Sequence, residues 1–435
     1  VRQHRAAAAQ GVAVRRGIAF LGALVAIGVA LVVARPDMPS RPEITAPATS
    51  VSIAKGEYLA RIGQCEGCHT ARGGARYAGG RGIVTPFGTV YATNLTPDPD
   101  TGLGRWTRTD FRRALHEGRS KDGRALTPAF PYTNFTHITS EDAAALYDYF
   151  RSLPPVTRKN RPHALRFPYD RPWMIAAWRV FHFEPGEFVP VATRSATWNR
   201  GAYLVHGLGH CDACHAQRNA MGAVVSGTSL AGGTMPGLGW YAPSLRDARE
   251  GGVAHWKPEH VASLLATGVA PGASVAGPMA EVVRRGTQHY SADDLQAVVE
   301  YLQSVPQVRD SPTPPPAIDP SDPTFVRGQK LYADHCADCH GKDGEGAGVA
   351  APPLAGNRAV TMTSAKNAIR AVLMGGFAPV TMGNPRPYGM PPFGHVLSDA
   401  DAAALVTYIR NAWGNAAPEV SALAINRERG AAVEE

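Results

Sequence analysis

The pattern Cys-x-x-Cys-His occurs three times in this chain, as Cys65-Glu66-Gly67-Cys68-His69, Cys211-Asp212-Ala213-Cys214-His215 and Cys336-Ala337-Asp338-Cys339-His340. Together the three copies use all six cysteines of the 435 residues. On a helical turn, side chains at i, i+3 and i+4 share one face, so each copy presents two thiols and an imidazole together. This is the attachment signature of c-type haem: the thiols form thioethers with the porphyrin and the adjacent histidine becomes the proximal iron ligand. Cys65, Cys68, Cys211, Cys214, Cys336 and Cys339 are therefore the expected covalent attachment residues. His69, His215 and His340 are the expected axial ligands, and the cofactor count is three haem c. A zinc knuckle needs four ligands at one centre, and these pairs lie far apart in sequence. A thioredoxin-like motif needs a βαβ setting and gives no reason for a histidine after every pair.

Three motifs divide the chain into three small helical domains. Gly 46 and Pro 36 exceed the ordinary combined share of about 12 %, which predicts short helices joined by long loops. The net charge of +8 is partly offset by haem propionates, so nucleic acid is not an expected partner.

Taken in order, residues 1–50 read as a membrane anchor and tether. Gly17 to Ala34 is free of charge and as a helix reaches roughly 27 Å. Arg2, Arg5, Arg15 and Arg16 precede it, which leaves the N-terminus in the cytoplasm and sends the rest across. A cleaved signal peptide is the alternative. The first haem domain covers 51–157, the second 194–309 and the third 324–417.

Each domain starts with a short helix that delivers its cysteines, marked by Lys55-Gly56-Glu57-Tyr58-Leu59, Arg200-Gly201-Ala202-Tyr203-Leu204 and Arg327-Gly328-Gln329-Lys330-Leu331-Tyr332. Each is closed by an amphipathic helix, predicted over 140–153, 291–305 and 398–413. Ser291 with Asp294 and Ser398 with Asp401 have the spacing of a capping box.

Residues 158–193 form an apolar connection around Trp173, Trp178 and Phe181. It either packs across two domains or meets the membrane interface or a quinone site. Residues 310–323 are a proline-rich spacer, and 418–435 a polar, disordered tail.

A second axial ligand is expected on a loop ahead of each closing helix. Met279 in Gly277-Pro278-Met279 and Met390 in Gly389-Met390-Pro391 take that place in the second and third domains, with Met382, Met374 and Met362 competing with Met390. The first domain has no methionine where one is due and reads Pro128-Ala129-Phe130-Pro131-Tyr132. His137 or His116 takes over there, or the position is vacant, weakly ligated or supplied from elsewhere.

Tyr91-Ala92-Thr93-Asn94-Leu95-Thr96-Pro97-Asp98 through Gly102-Leu103-Gly104, Gly239-Trp240-Tyr241-Ala242-Pro243 and Met390-Pro391-Pro392-Phe393-Gly394 carry a resemblance. The chain resembles the three-haem cytochrome c subunits of membrane-bound periplasmic dehydrogenases of the acetic acid bacteria type. The resemblance implies a mainly α fold of three tandem class I cytochrome c domains with long loops, plus an N-terminal transmembrane helix. It implies export, because c-type haem is attached outside the cytoplasm, and so an inner-membrane protein with its haem domains in the periplasm. It also implies an electron relay from a separate dehydrogenase subunit to ubiquinone, with no catalysis by this chain.

The Phe130-Pro131-Tyr132 loop is most similar to relatives that serve molybdopterin enzymes. The expected partners are thus a large molybdopterin subunit and a small iron-sulfur subunit, as in membrane-bound aldehyde dehydrogenase. The same relay serving a quinoprotein alcohol or flavin polyol dehydrogenase is the alternative. A multihaem peroxidase acting alone is the alternative of another class.

Overall fold

Three helix pairs organise the chain in the computed structural model, which describes residues 46–235, 237–308, 315, 318–348 and 350–432. The anchor expected over 17–34 and half of the 310–323 spacer (310–314, 316 and 317) lie outside the described residues. Among the described residues no helix is long and apolar enough to cross a membrane.

The leading helices are Ser50–Ile62, Ala196–Tyr203 and Pro323–His335. The closing helices are Ser140–Ser152, Ala292–Ser304 and Asp399–Asn411. Thr139, Ser291 and Ser398 cap the closing helices, each accepting a hydrogen bond from the backbone N–H of the aspartate three residues on. A side-chain acceptor there satisfies one of the donors that a helix start leaves unpaired.

A glycine lets each pair cross closely. A Cβ on Gly56, Gly201 or Gly328 would come within 1.9, 2.0 and 2.2 Å of the carbonyl oxygens of Ala145, Ala297 and Ala404. The repeated glycine of the three leading segments is thus a contact point where no side chain fits.

The first two units are built as a pair. Tyr58 Oη donates to Asp294 at 2.6 Å and accepts from the Ser291 N–H at 3.1 Å. Tyr203 Oη donates to Asp142 at 2.6 Å and accepts from the Thr139 N–H at 3.2 Å. Lys55 pairs with Asp142 at 2.5 Å and Arg200 with Asp294 at 2.7 Å. Each unit therefore offers the leading helix it receives from its neighbour the same polar socket, an arrangement of the isologous kind seen in two-fold dimers.

The exchange corrects the capping box expected at Ser291. The Asp294 carboxylate turns to Tyr58 and Arg200, and a tyrosine hydroxyl from the other unit satisfies the cap's own N–H. Leu59, Ile62, Phe150, Leu204, Leu208 and Val298 belong to one apolar core that runs through both units. The third unit carries Lys330 where the others carry tyrosine and has its own core around Tyr332, Ile369, Leu405 and Ile425.

The second unit is also joined to the third. Tyr241 and Asn367 exchange two hydrogen bonds, of 3.0 and 2.7 Å. The Arg358 guanidinium lies 4.5 Å from the Trp256 ring and donates to the Gly252 carbonyl at 2.6 Å.

The 158–193 connection adds the strand Ala164–Leu165 to the hairpin Gly82–Thr85 and Gly88–Tyr91. It then forms the helix Pro172–His182. Trp178 is buried there against Tyr132 and donates to the Met221 carbonyl at 2.9 Å, bridging the first two units.

The expectation of a disordered polar tail is corrected. Ala422–Ala432 is a helix whose Ile425 is buried in the third core. Arg429 binds Asp399 at 2.9 Å, and Glu428 binds Lys366. Polar anchors rather than apolar periodicity hold this helix.

Candidate haem centres

The motif residues fold into single helical turns: Cys65–His69, Asp212–His215 and Ala337–His340. Each histidine meets a backbone carbonyl through Nδ1. His69 faces Thr93 O at 2.7 Å, His215 faces Pro243 O at 2.7 Å and His340 faces Pro352 O at 3.0 Å. A carbonyl can only accept, so Nδ1 carries the proton in all three, and Nε2 keeps a free lone pair. Burial pushes the three imidazoles below the usual histidine range. A neutral imidazole, oriented through Nδ1–H to a carbonyl, is the form that serves as an iron ligand.

The thiols match this picture. Burial pushes Cys65 and Cys211 up to about 12 and Cys336 up to about 11, so they are held as thiols. None of the six cysteines is in a disulfide. Among the described residues no cluster of three His, Cys, Asp or Glu side chains is placed to hold a bare metal ion. The donor set of each turn, two unpaired thiols and a tautomer-fixed imidazole, fits a covalently attached haem.

The carbonyl acceptors were not singled out by residue type, because any residue has a carbonyl. Thr93 and Pro243 do lie in the stretches that carried the resemblance. The loop behind Thr93 is held by buried polar groups. Asn94 Nδ2 donates to Val156 O at 2.7 Å and to Thr101 Oγ1 at 3.0 Å. Asp98 in turn accepts from Thr101 N, Thr101 Oγ1 and Thr157 Oγ1, each at 2.7 Å. Those three bonds, the one from Thr157 first, hold the Asp98 carboxyl down to about 2.

The expected second ligands stand at distinct places. Met279 is the second residue of the helix Pro278–Arg285. Gly277 before it has φ 53° and ψ −133°, and a Cβ there would come 2.6 Å from the Trp240 indole, so only glycine serves at that turn. Met390 is in the short strand Gly389–Met390 paired with Gly376–Phe377, and it packs on the third core together with Phe393. Of its competitors, Met382 is 96 % exposed, whereas Met362 is buried and Met374 packs on the core.

In the first unit Phe130 packs between Tyr132 and Phe135, with ring centroids 6.4 and 5.4 Å away. His137 lies beside the second unit. Its Nδ1 is 2.9 Å from Gly186 O and its β-carbon is against Gly207. His116 is fully buried, with Nδ1 3.6 Å from Glu187 of the connection.

The first unit also approaches the second motif. Phe135 of the first unit lies 5.6 Å, ring to ring, from His210, the residue before Cys211.

The Cytochrome c family profile matches residues 53–154 and 325–413. The chain is 37 % identical over 389 residues to the cytochrome c subunit of alcohol dehydrogenase (quinone) from Gluconacetobacter polyoxogenes, covering 86 % of this chain and 83 % of that one. It is 35 % identical to the gluconate 2-dehydrogenase cytochrome c subunit of Pantoea cypripedii, covering 85 % and 87 %. It is 39 % identical to one of the subunits of nicotinate dehydrogenase from Pseudomonas putida, covering 93 % of this chain but 34 % of that longer one. The chain belongs to the cytochrome c family, among the cytochrome c subunits of dehydrogenase complexes. It is an electron-transfer protein that carries covalently bound haem c.

Proposed function

We propose that this chain carries three haem c groups, one on each Cys-x-x-Cys-His turn, and passes electrons from a dehydrogenase subunit to ubiquinone in the inner membrane, with the haem domains in the periplasm. The observation that carries this reading is the threefold repetition of the histidine–carbonyl bond at His69, His215 and His340. Bound haem supplies one-electron redox chemistry; the chain's own residues attach it, fix the imidazole tautomers and set the surroundings. Met279 and Met390 are the second ligands of the second and third centres, where a thioether raises the potential and suits a carrier. His137 is the candidate at the first. The second unit touches both of the others, so its centre is the middle one of the relay.

The helix Pro172–His182 supports a membrane-facing role for the connection. Trp173 is 59 % and Phe181 76 % exposed, about two helical turns apart, while Phe167 in the preceding segment is 74 % exposed. Exposed Arg161, Arg166 and Arg171 lie in the preceding segment. Aromatic side chains beside cationic ones suit the interface of an anionic bilayer.

For the substrate, the reading favoured here is an aldehyde, oxidised on a molybdopterin subunit whose electrons reach this chain through an iron-sulfur protein. Its support is the Phe130 loop and the likeness to the nicotinate dehydrogenase chain. The likeness to alcohol dehydrogenase cytochrome subunits supports the second reading, a quinoprotein alcohol dehydrogenase partner. Isolation of the intact membrane complex, with mass spectrometry of its subunits and of the haem load on this chain, tests both. Three attached haems, a molybdopterin subunit and an iron-sulfur subunit are expected. A quinoprotein partner overturns the aldehyde reading, and a haem load other than three overturns the relay as drawn.

A further inference from the structure

A bracket of ion pairs joins the first haem-attachment motif to the helix that carries Met279. Arg81 donates to the carbonyl of Gly67, one of the two residues between Cys65 and Cys68. The same Nη1, together with Nη2, makes a two-point bond to Glu281, at 2.7 and 3.1 Å. Glu281 lies two residues after Met279 on the helix Pro278–Arg285. Arg285 at the end of that helix donates to Glu281 at 2.9 Å and to Glu66, the other residue between the cysteines, at 3.2 Å. Arg76 closes the bracket on Glu66 at 2.7 Å. Both residues between the first pair of cysteines are therefore tied to the second unit.

The other motifs lack this tie among the described residues. Asp212 of the second motif is held within its own unit by His206, Ser229 and the Leu230 N–H. The carbonyl of Ala213 accepts from Arg218, which is spent on Gly222 of the same loop. Arg81 plays the part of Arg218 toward its own motif, but its guanidinium also reaches across the unit boundary to Glu281.

Partial shielding gives the bracket more weight than an ordinary surface pair. Arg285 is 20 % and Arg81 38 % exposed. A two-point arginine–carboxylate bond fixes geometry as well as charge, which an exposed single contact does not.

We propose that Arg81, Glu281 and Arg285 are positioning residues for electron transfer between the first and second centres. They hold the helix that carries Met279 against the Cys65–Cys68 turn and so set the separation and orientation of the two centres. The transfer they govern is of one electron, with no bond made or broken. The inference rests on the relay proposed above and extends it by naming the residues that couple two of its centres.

The test uses the complete, haem-loaded protein. Flash reduction reports the rate of electron equilibration between centres, in wild type and in the Glu281→Gln and Arg81→Lys variants, at low and high salt. In wild type the first-to-second rate is expected to fall as salt screens the bracket, while the second-to-third rate stays constant. Glu281→Gln is expected to slow the first-to-second step severalfold and remove its salt dependence, with all haems attached and the unfolding midpoint little changed. Arg81→Lys, which keeps the charge and one contact, is expected to fall between the two.

An unchanged first-to-second rate in Glu281→Gln, or equal slowing of both steps, overturns the proposal. Failure of the relay is distinguishable. A haem load other than three, read by mass spectrometry of the chain, overturns the relay whatever the effect of Glu281→Gln.

Discussion

The hydroxyl of Tyr203 stands 2.6 Å from the carboxylate of Asp142, across the boundary between the second unit and the first. Asp142 is buried, and its other partner is the Lys55 ammonium. Burial, then the charge of Asp142, pushes the Tyr203 phenol well above its usual range, so it remains a donor throughout. Replacing it with phenylalanine keeps the ring in the shared core and removes only the donor. The cost expected for a buried hydrogen bond to a charged acceptor is about 2 kcal/mol. Because the third unit has a separate core, Tyr203→Phe should lower the unfolding midpoint of the paired units and leave that of the third in place. Denaturant titration followed at haem bands and tryptophan emission separates the two, and a uniform shift of both would contradict the pairing.

How much of this was legible in the sequence depends on what kind of partner a residue has. The closing helices were readable from their period and caps. Ser291 and Ser398 start theirs as expected, and the first is capped one residue earlier than expected, at Thr139. The glycines at 56, 201 and 328 stood out as a repeat, but their reason, a carbonyl at contact distance, belongs to the packing. Tyr58 and Tyr203 differ from Lys330 in the aligned segments, and that difference marks which units pair. A single sequence offers no way to assign their partners 236 and 61 residues away. The Ala422–Ala432 helix was missed because it buries few apolar residues and is fastened by Arg429 and Glu428. The acceptors at Thr93, Pro243 and Pro352 were invisible for a simpler reason, since a backbone carbonyl leaves no side-chain signature.

Met390→Leu separates attachment from ligation at the third centre. The thiols of Cys336 and Cys339 and the imidazole of His340 lie on another element, so the haem is expected to remain attached. Loss of the thioether is expected to lower that centre's potential and slow transfer through it. Met382→Leu is the control, since Met382 points to solvent at 96 % exposure. A redox titration unchanged by Met390→Leu dismisses Met390 as the ligand.

The exposed face of Pro172–His182 gives a prediction about the acceptor side. Trp173→Asp and Phe181→Asp place charge where an aromatic face is proposed to meet the bilayer interface, while the buried anchor Trp178 is left alone. Ubiquinone reduction by the complex in proteoliposomes is expected to fall severalfold, and reduction of ferricyanide, which needs no membrane, to stay near wild type. Equal loss of both activities would mean that the helix acts through folding rather than through the membrane.

Acid should reach the first centre through Asp98. Its carboxyl is held from the ordinary 3.8 down to about 2 by the Thr157 hydroxyl and by the hydroxyl and N–H of Thr101. A depressed folded-state value means that its stabilisation is complete above 3.8 and is lost as the pH falls toward 2. Thr101 also holds the Asn94 side chain, and the preceding carbonyl, that of Thr93, fixes the His69 imidazole. Protonation of Asp98 should therefore disturb the first centre, whereas His340 takes its carbonyl from Pro352 in a loop without this network. Asp98→Asn removes the charge and should produce the disturbed first centre at neutral pH. Magnetic circular dichroism of the haem bands across that acid range is the measurement. An acid transition that strikes all centres together, or a variant indistinguishable from wild type, would break the link between Asp98 and His69.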